Sequence, residues 1–365
     1  MHTFLIKPTN NCNLRCRYCF IDNSMKNSSP CMTLVMARLI VDQIADYVRN
    51  EQYENCKILW HGGEPLLWGV DNYKAIFDYI SEKHNDIQWE FAMQTNLTLL
   101  NEEYIELFKT HRMGLGISMD GYKDLHDMNR VYVDGRGSYD SVVNKILLAR
   151  QRGMSVGVII VVNTDNIMHL KDIYYFFKKN KIGIQFNPLM SIGEASNNHS
   201  SISIDAYGKA LIELFDLWID DCDASPIGNF IEMASSIKTG IPSNCVFSAN
   251  CQNSITVIEP NGDILPCDRL CGIKEFVYGN ILSSNLKDIM LLKKQSFEER
   301  TNNIHNIACK NCKYLRICNG GCPADNDSKS FGDTKSALCH VYKDLFEHIS
   351  NKISKYSFSN SIINF

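Results

Sequence analysis

The sequence has little charge imbalance and no long apolar run, and each shortage removes a class of function. Its 37 Lys and Arg against 41 Asp and Glu leave a formal charge of −4, so no basic field points to nucleic acid or an anionic membrane. No run approaches the ~18 apolar residues of a membrane-spanning helix. The opening segment Met1–Pro8 lacks the apolar core of a secretory signal. The expectation is a cytoplasmic protein with no nucleic-acid and no membrane partner. At 365 residues the chain suggests about two domains, at roughly 150 residues each.

Cysteine is what the sequence has in excess. Fifteen of them in a mid-sized chain of this kind argue for metal or redox work rather than disulfides. Cys12, Cys16 and Cys19 form a C-x₃-C-x₂-C run, three thiolates from one short loop. A [4Fe–4S] cluster has four irons that each want an outer ligand, and cysteine thiolate is the usual donor. Three donors leave one iron open, and an open position is what separates a catalytic metal centre from a closed one. A zinc or disulfide site is the alternative.

Apolar periodicity predicts strands over Phe4–Lys7, Lys57–Trp60, Trp89–Gln94, Gly114–Met119, Ser155–Val162 and Gly183–Asn187. Helices are predicted near Thr33–Arg49, Asn72–Glu82, Glu102–Phe108, Tyr139–Gln151, Met168–Lys179 and Asp205–Asp221. Six such units predict an α/β fold, a partial (β/α)6 TIM-type barrel with a parallel sheet and outer helices. Reactive groups of that architecture collect where the strands end. The triad follows the first strand. His61-Gly62-Gly63-Glu64-Pro65, Gln94-Thr95-Asn96, Ser118-Met119-Asp120-Gly121, Asn163 and Gln185–Asn187 follow the others.

After about residue 230 the texture changes to turns, short strands and cysteines. A β-hairpin is predicted over Ile255–Ile258 and Ile264–Pro266 around Asn261-Gly262. Helices are predicted near Asn285–Leu292 and Ser336–Lys355, and a frayed tail over Ser357–Asn364. The domains expected are 1–230, 231–345 and a C-terminal end 346–365. Cys245, Cys251, Cys267, Cys309, Cys312, Cys318, Cys322 and Cys339 are enough for two fully ligated [4Fe–4S] clusters, although C-x₂-C pairs are also zinc-knuckle spacing. Cys31, Cys56 and Cys222 are expected as small buried hydrophobes. Cys271 lies close to Cys267, where a thiol role is open.

The triad with Tyr18 before its last cysteine, followed by Gly62-Gly63-Glu64-Pro65 after the second strand, resembles the radical S-adenosylmethionine (SAM) superfamily over residues 1 to about 220. The resemblance implies that SAM chelates the open iron. An electron then cleaves it to methionine and a 5′-deoxyadenosyl radical that abstracts hydrogen from an unactivated carbon. It also implies cofactor contacts from Tyr18, Gly62, Gly63, Glu64, Pro65, Gln94, Asn96, Ser118, Arg130 and Asn163. Capping or turn roles are the alternative for Ser118 and Asn163, and a surface salt bridge for Arg130.

The eight later cysteines resemble the SPASM domain, a C-terminal extension of radical SAM enzymes that modify peptides and proteins. That implies a first auxiliary cluster on Cys245, Cys251, Cys267 and Cys322, and a second on Cys309, Cys312, Cys318 and Cys339. The cofactors implied are SAM and three [4Fe–4S] clusters, with a flavodoxin- or ferredoxin-type reductant as partner.

Leu5-Ile6-Lys7-Pro8, Gln94-Thr95-Asn96, Gly116-Ile117-Ser118-Met119-Asp120-Gly121, Asn129-Arg130 and Leu265-Pro266-Cys267-Asp268 are similar to anaerobic sulfatase-maturating enzymes, nearly end to end. Asp268 stands where that family has a general base. A carboxylate there suits an oxidation that must release a proton with its electron; capping, or a salt bridge to Arg269, is the alternative. His61 and Ile21 stand where the family generally carries a substrate-facing glutamine and tyrosine. His61-Gly62-Gly63-Glu64-Pro65-Leu66-Leu67 is instead similar to SPASM maturases of ribosomally made peptides.

The leading expectation is therefore a radical SAM enzyme that installs a thioether, carbon–carbon or cyclophane cross-link in a precursor peptide. The alternative is a sulfatase-maturating enzyme converting Cys or Ser to formylglycine, with the sulfatase as partner. A non-enzymatic iron–sulfur electron carrier is the alternative from another class, and the open-site triad argues against it. His61 is a candidate proton carrier or peptide donor, with packing as its other reading. Trp60 and Trp68 are expected in the core. With no leader-binding extension in view, leader recognition falls to the barrel rim or a separate protein.

Overall fold

The computed structural model describes residues 2–28, 30–190, 192–197, 202–249, 251–326 and 335–354. Six strands, β1 (His2–Ile6), β2 (Asn55–Trp60), β3 (Gln88–Thr95), β4 (Gly114–Ser118), β5 (Val156–Val162) and β6 (Gly183–Pro188), pair in sequence order and all in parallel. Helices Leu34–Asn50, Val70–Lys83, Glu102–Thr110, Tyr139–Gln151 and Leu170–Lys179 return the chain between them. Local chemistry sets their starts: Thr33 Oγ1 accepts the Met36 N–H and Asn101 Oδ1 the Tyr104 N–H. Met36, Ile40, Ile44 and Val48 form the inward stripe of the first of these helices.

The sheet stays open at β6, which meets β5 on one side and a single bridge, Ile184 to Ile227, beyond. At the other edge β7 (Ile255–Ile258) pairs in parallel with β1, and β8 (Asp263–Leu265) and β9 (Gly279–Asn280) follow antiparallel. The expected hairpin is present, turning at Gly262 with φ +91°, but it continues the first sheet rather than founding a separate one. Two helices cross the expected domain limits, Gly228–Thr239 across residue 230 and Cys339–Ile353 across residue 345.

Other expectations are corrected locally. Helix Leu286–Asn303 runs well past Leu292. The last helix starts at Cys339, after a turn in which Ser336 Oγ accepts the Leu338 N–H at 3.0 Å. Lys355 and the tail Ser357–Asn364 lie outside the described residues. Trp60 and Trp68 are buried and stacked at 5.6 Å. Cys56 is buried, but Cys31 and Cys222 are exposed, because both fall in connecting segments outside helices Leu34–Asn50 and Ile204–Ile219. Among the described residues no helix is long and apolar enough to cross a membrane.

The cysteine loop after β1 is clamped from both sides. His61, Gly63 and Glu64 donate backbone N–H groups to Ile6 O, Thr9 O and Asn11 O at 2.9–3.0 Å, while Arg15 and Arg17 donate to Val131 O and Asn129 O at 2.7 and 3.0 Å. A Cβ on Gly63 would lie 2.3 Å from Asn11 O and 2.4 Å from Asn10 O, and one on Gly62, where φ is +117°, 2.3 Å from Thr9 O. Absence of a Cβ therefore lets the chain's own loop come close. The segment 129–131 is in turn held by His126, whose Nε2 meets Ser138 Oγ at 2.9 Å while that hydroxyl donates to Arg130 O at 2.8 Å. The Asp120 N–H points to Nδ1 at 3.4 Å, which selects the neutral ring.

Gly63→Ala should displace the loop: anaerobically reconstituted protein is expected to lose the iron of the N-terminal triad, with a normal far-UV spectrum and the remaining iron retained. Burial pushes His126 from 6.5 down to about 4, so in the unfolded chain it takes up a proton first as pH falls. Its neutral form supports the fold fully above about pH 6.5, and that support, on the order of 3 kcal/mol, drains away toward pH 4. Wild type should therefore lose more denaturant resistance between pH 7 and 5 than His126→Gln, a difference readable from paired urea titrations.

Candidate active site

The ends of the parallel strands surround a cavity of ≈ 260 Å³. The loop after β1 contributes Cys12, Cys16, Tyr18, Cys19 and Phe20 to its wall. His61, Gly62 and Gly63 follow β2, Gln94 and Asn96 end or follow β3, Ser118 ends β4, and Arg130 comes from the next loop. Asp268 and Arg269 reach it from the cysteine-rich half. Gln94 Nε2 donates to Ser118 Oγ at 3.0 Å, and Gly116 leaves the room Gln94 needs, since a Cβ there would sit 2.2 Å from its Oε1.

Three expected cofactor contacts lie off this wall. The Glu64 carboxylate is spent internally, accepting from Thr95 Oγ1 at 2.6 Å, Asn96 N at 2.8 Å and Leu66 N at 3.0 Å. Burial nevertheless raises it to about 7. Pro65 opens the short 3-10 turn Pro65–Trp68 and is buried. Asn163 accepts from Asp165 N and Asn166 N, as a turn residue does. Ile21, at the position where the family carries a substrate-facing tyrosine, is 1% exposed and also off the wall. Asn96 lies on the wall but turns its amide onto Asn13 Oδ1 at 3.0 Å and Cys12 Sγ at 3.7 Å.

Arg130 is no surface residue: it is 7% exposed, its Nε and Nη2 meet Asp120 at 3.0 and 3.3 Å, and its guanidinium lies 5.3 Å over the Tyr18 ring. Tyr18 also donates its hydroxyl to Asp120. Asp120, which the sequence did not single out, thus joins the cysteine loop to β4 and the Arg130 segment.

The cysteine groups fit iron–sulfur ligation. Burial raises Cys12 far above a free thiol, with Cys16, Glu64 and Cys19 adding to it; burial raises Cys16 to about 11 despite Arg130. Crowded thiols of this kind become thiolates when a cationic cluster sits among them. The later eight cysteines fall into two groups. Cys251 is raised by burial and then by Cys322, Cys267 and Cys245, and Cys318 to about 12 by burial and then by Cys339, Cys309 and Cys312. Among the described residues no three His, Cys, Asp or Glu side chains converge as ligands of one ion; the donor set, thiols alone, is one that iron–sulfur clusters use. Cys271 belongs to neither group; burial raises it to about 12 beside Lys7.

Lys7 is the residue the sequence left without a role. It is fully buried, with Nζ 2.5 Å from Asp268 Oδ1 and 2.8 Å from Glu259 Oε1, and Asn10 Nδ2 donates to the other Glu259 oxygen at 3.1 Å. Burial alone drives the Asp268 carboxyl up, but Lys7, His61 and Arg269 outweigh it and hold it below the usual range. Burial lowers His61, Asp268 raises it and Lys7 lowers it again, leaving the ring below its ordinary value. Its Nδ1 lies 3.5 Å from Asp268 Oδ2. Arg269 turns away to Asp325 Oδ1 at 3.0 Å, so the expected alternative of an Asp268–Arg269 salt bridge is replaced by Lys7.

A radical SAM superfamily model matches residues 6–177, and that of the SPASM iron–sulfur cluster-binding domain matches residues 245–313. A cysteine-type anaerobic sulfatase-maturating enzyme of Clostridium novyi is 30% identical over 96% of both chains. A solved structure of native anSMEcpe with bound AdoMet superimposes with TM-score 0.85 at 26% identity, covering 97% of this chain and 100% of the other. Streptococcus suis SuiB bound to its precursor peptide SuiA shares the fold, with TM-score 0.65 at 16% identity over 92% of this chain and 75% of SuiB. The chain therefore belongs to the radical SAM enzymes that carry a C-terminal SPASM domain, and its reaction is the modification of a peptide or protein.

Proposed function

We propose that the protein oxidises a cysteine or serine side chain of a protein substrate to formylglycine. The observation that carries this reading is the Asp268 carboxylate on the cavity wall, with Oδ1 held by Lys7 and Oδ2 directed toward His61. Likeness over 96% of a cysteine-type sulfatase-maturating enzyme supports it. The cross-linking reading, the leading expectation from the sequence, rested on His61 and Ile21 replacing the family's glutamine and tyrosine and on the likeness of His61–Leu67 to peptide maturases; Ile21 is buried off the wall, and the likeness to SuiB concerns fold only.

Bound at the cysteine loop, SAM and a reduced cluster supply the radical that removes one hydrogen atom from the substrate β-carbon. This chain's residues do the rest. Gly62, Gly63, Gln94 and Ser118 offer the cavity a polar wall. Asp268 Oδ2 takes the thiol or hydroxyl proton, and Lys7 keeps that carboxylate ionised and aimed. Cys245, Cys251, Cys267 and Cys322, which we assign to the first auxiliary cluster, would hold an acceptor for the remaining electron; Cys309, Cys312, Cys318 and Cys339 are assigned to the second. Serine gives the aldehyde directly, and cysteine gives a thioaldehyde that water hydrolyses with release of sulfide.

Incubated anaerobically with SAM, dithionite and a peptide carrying a Cys/Ser-x-Pro-x-Arg segment, the reconstituted enzyme should yield an aldehyde that a hydrazine probe captures in the mass spectrum. An intramolecular link with no hydrazine adduct would restore the cross-linking alternative. Asp268→Asn should cut aldehyde formation by ~100-fold or more, as loss of a general base does, while 5′-deoxyadenosine still forms.

A further inference from the structure

Three cations of the cysteine-rich half, Lys293 and Arg300 buried and Arg269 partly so, have no part in the steps above. Lys293 and Arg300 lie two turns apart on the inward face of helix Leu286–Asn303, 0% and 5% exposed. Lys293 Nζ donates to Thr256 Oγ1 at 2.7 Å and to the Ile255 carbonyl. Arg300 Nη2 donates at 3.1 Å to the carbonyl of Gly321, in the turn between Cys318 and Cys322, and its Nε is buried without a hydrogen-bond partner. Arg269 Nη1 reaches Cys322 Sγ at 3.8 Å while also meeting Asp325.

Among the described residues neither Lys293 nor Arg300 has a carboxylate within ion-pair distance. Their backbone partners place them beside cysteine segments, since Ile255 directly follows helix Cys251–Ser254 and Gly321 adjoins Cys322; the groups that act against burial on them are Cys251 and Cys267 for Lys293, and Cys251, Cys322, Cys309 and Cys318 for Arg300. An uncompensated buried cation is costly, so these two side chains are matched only once the thiols carry negative charge.

We propose that Arg269, Lys293 and Arg300 form a cationic cage that balances the thiolates of the Cys245, Cys251, Cys267 and Cys322 quartet and makes a cluster held there the preferred one-electron acceptor. Reduction adds negative charge to a cluster, so positive charge and hydrogen bonds at its sulfurs raise its potential. The second quartet shares Arg300, but the other cations beside its Cys309 are Lys335 and Lys343, both exposed, where solvent and salt screen the field. The inference rests on the oxidation proposed above, and the balance is complete. The substrate loses one hydrogen atom to the SAM-derived radical, one proton to Asp268 and one electron to the first auxiliary cluster, as a carbon–oxygen or carbon–sulfur double bond forms.

The test is an electron paramagnetic resonance redox titration of iron-loaded enzyme carrying Cys12→Ala, Cys16→Ala and Cys19→Ala, so that only the auxiliary clusters give signals. Lys293→Met should lower the midpoint potential of one auxiliary signal, Arg300→Met should lower both, and Arg300→Lys should leave both near their starting values. Loss of iron from Arg300→Met with retention in Arg300→Lys would also support the cage, since charge rather than shape is then what assembly needs. Unshifted potentials in iron-replete Lys293→Met and Arg300→Met overturn it, as does an Arg300→Lys effect equal to that of Arg300→Met. Potentials are read without peptide. Shifted potentials in an enzyme that cross-links its peptide would therefore defeat the formylglycine reading and leave the cage standing.

Discussion

The buried ammonium of Lys7 is the interaction on which the two halves of this molecule depend. It sits one residue past β1, the strand that leads into the cysteine loop, and it meets Asp268 and Glu259, which flank the hairpin strands β7 and β8. The parallel pairing of β1 with β7 brings the three residues together. Removing one member of such a group leaves the others charged and buried, which typically costs about 3–5 kcal/mol. The same contact that joins the two halves also places a carboxylate on the cavity wall, so stability and chemistry share one node.

That node explains why the cysteine-rich half is no independent appendage. Its first hairpin is the continuation of the N-terminal sheet, and its last helix, Cys339–Ile353, packs back with Val341 against Gly208 of helix Ile204–Ile219. The second loop after β2 is bound to the first by its backbone, and Gly62 and Gly63 are glycines because the cysteine loop lies where their side chains would be. The arrangement keeps the triad and Asp268 on the wall of one cavity, with Cys267 next to Asp268 in the chain.

Much of this was legible in the sequence, because the relevant signals are local. The six β/α units, the Asn261-Gly262 turn and the spacing of eleven cysteines are patterns within short windows, and the structure brings the later eight thiols into two groups. What could not be read involves partners distant along the chain. Nothing near Ile255–Ile258 says that its neighbour is β1. Nothing near Glu64 says that its carboxylate turns inward to Thr95 and Asn96, and nothing near Ile21 says that it is buried. Lys7, Lys293 and Arg300 read as solvated charges, since a lysine or arginine carries no local mark of burial; only packing shows that they are enclosed among carboxylates or thiols.

The central claim is that Lys7 holds Asp268 in its working position. The most direct measurement is the ratio of aldehyde formed to 5′-deoxyadenosine released in iron-replete Lys7→Met, Asp268→Asn and the double variant. The account predicts that Lys7→Met uncouples the two products nearly as strongly as Asp268→Asn, and that the double variant is no worse than either, since both changes disable one unit. A Lys7→Met enzyme that keeps the wild-type ratio, or losses that multiply in the double variant, would contradict it.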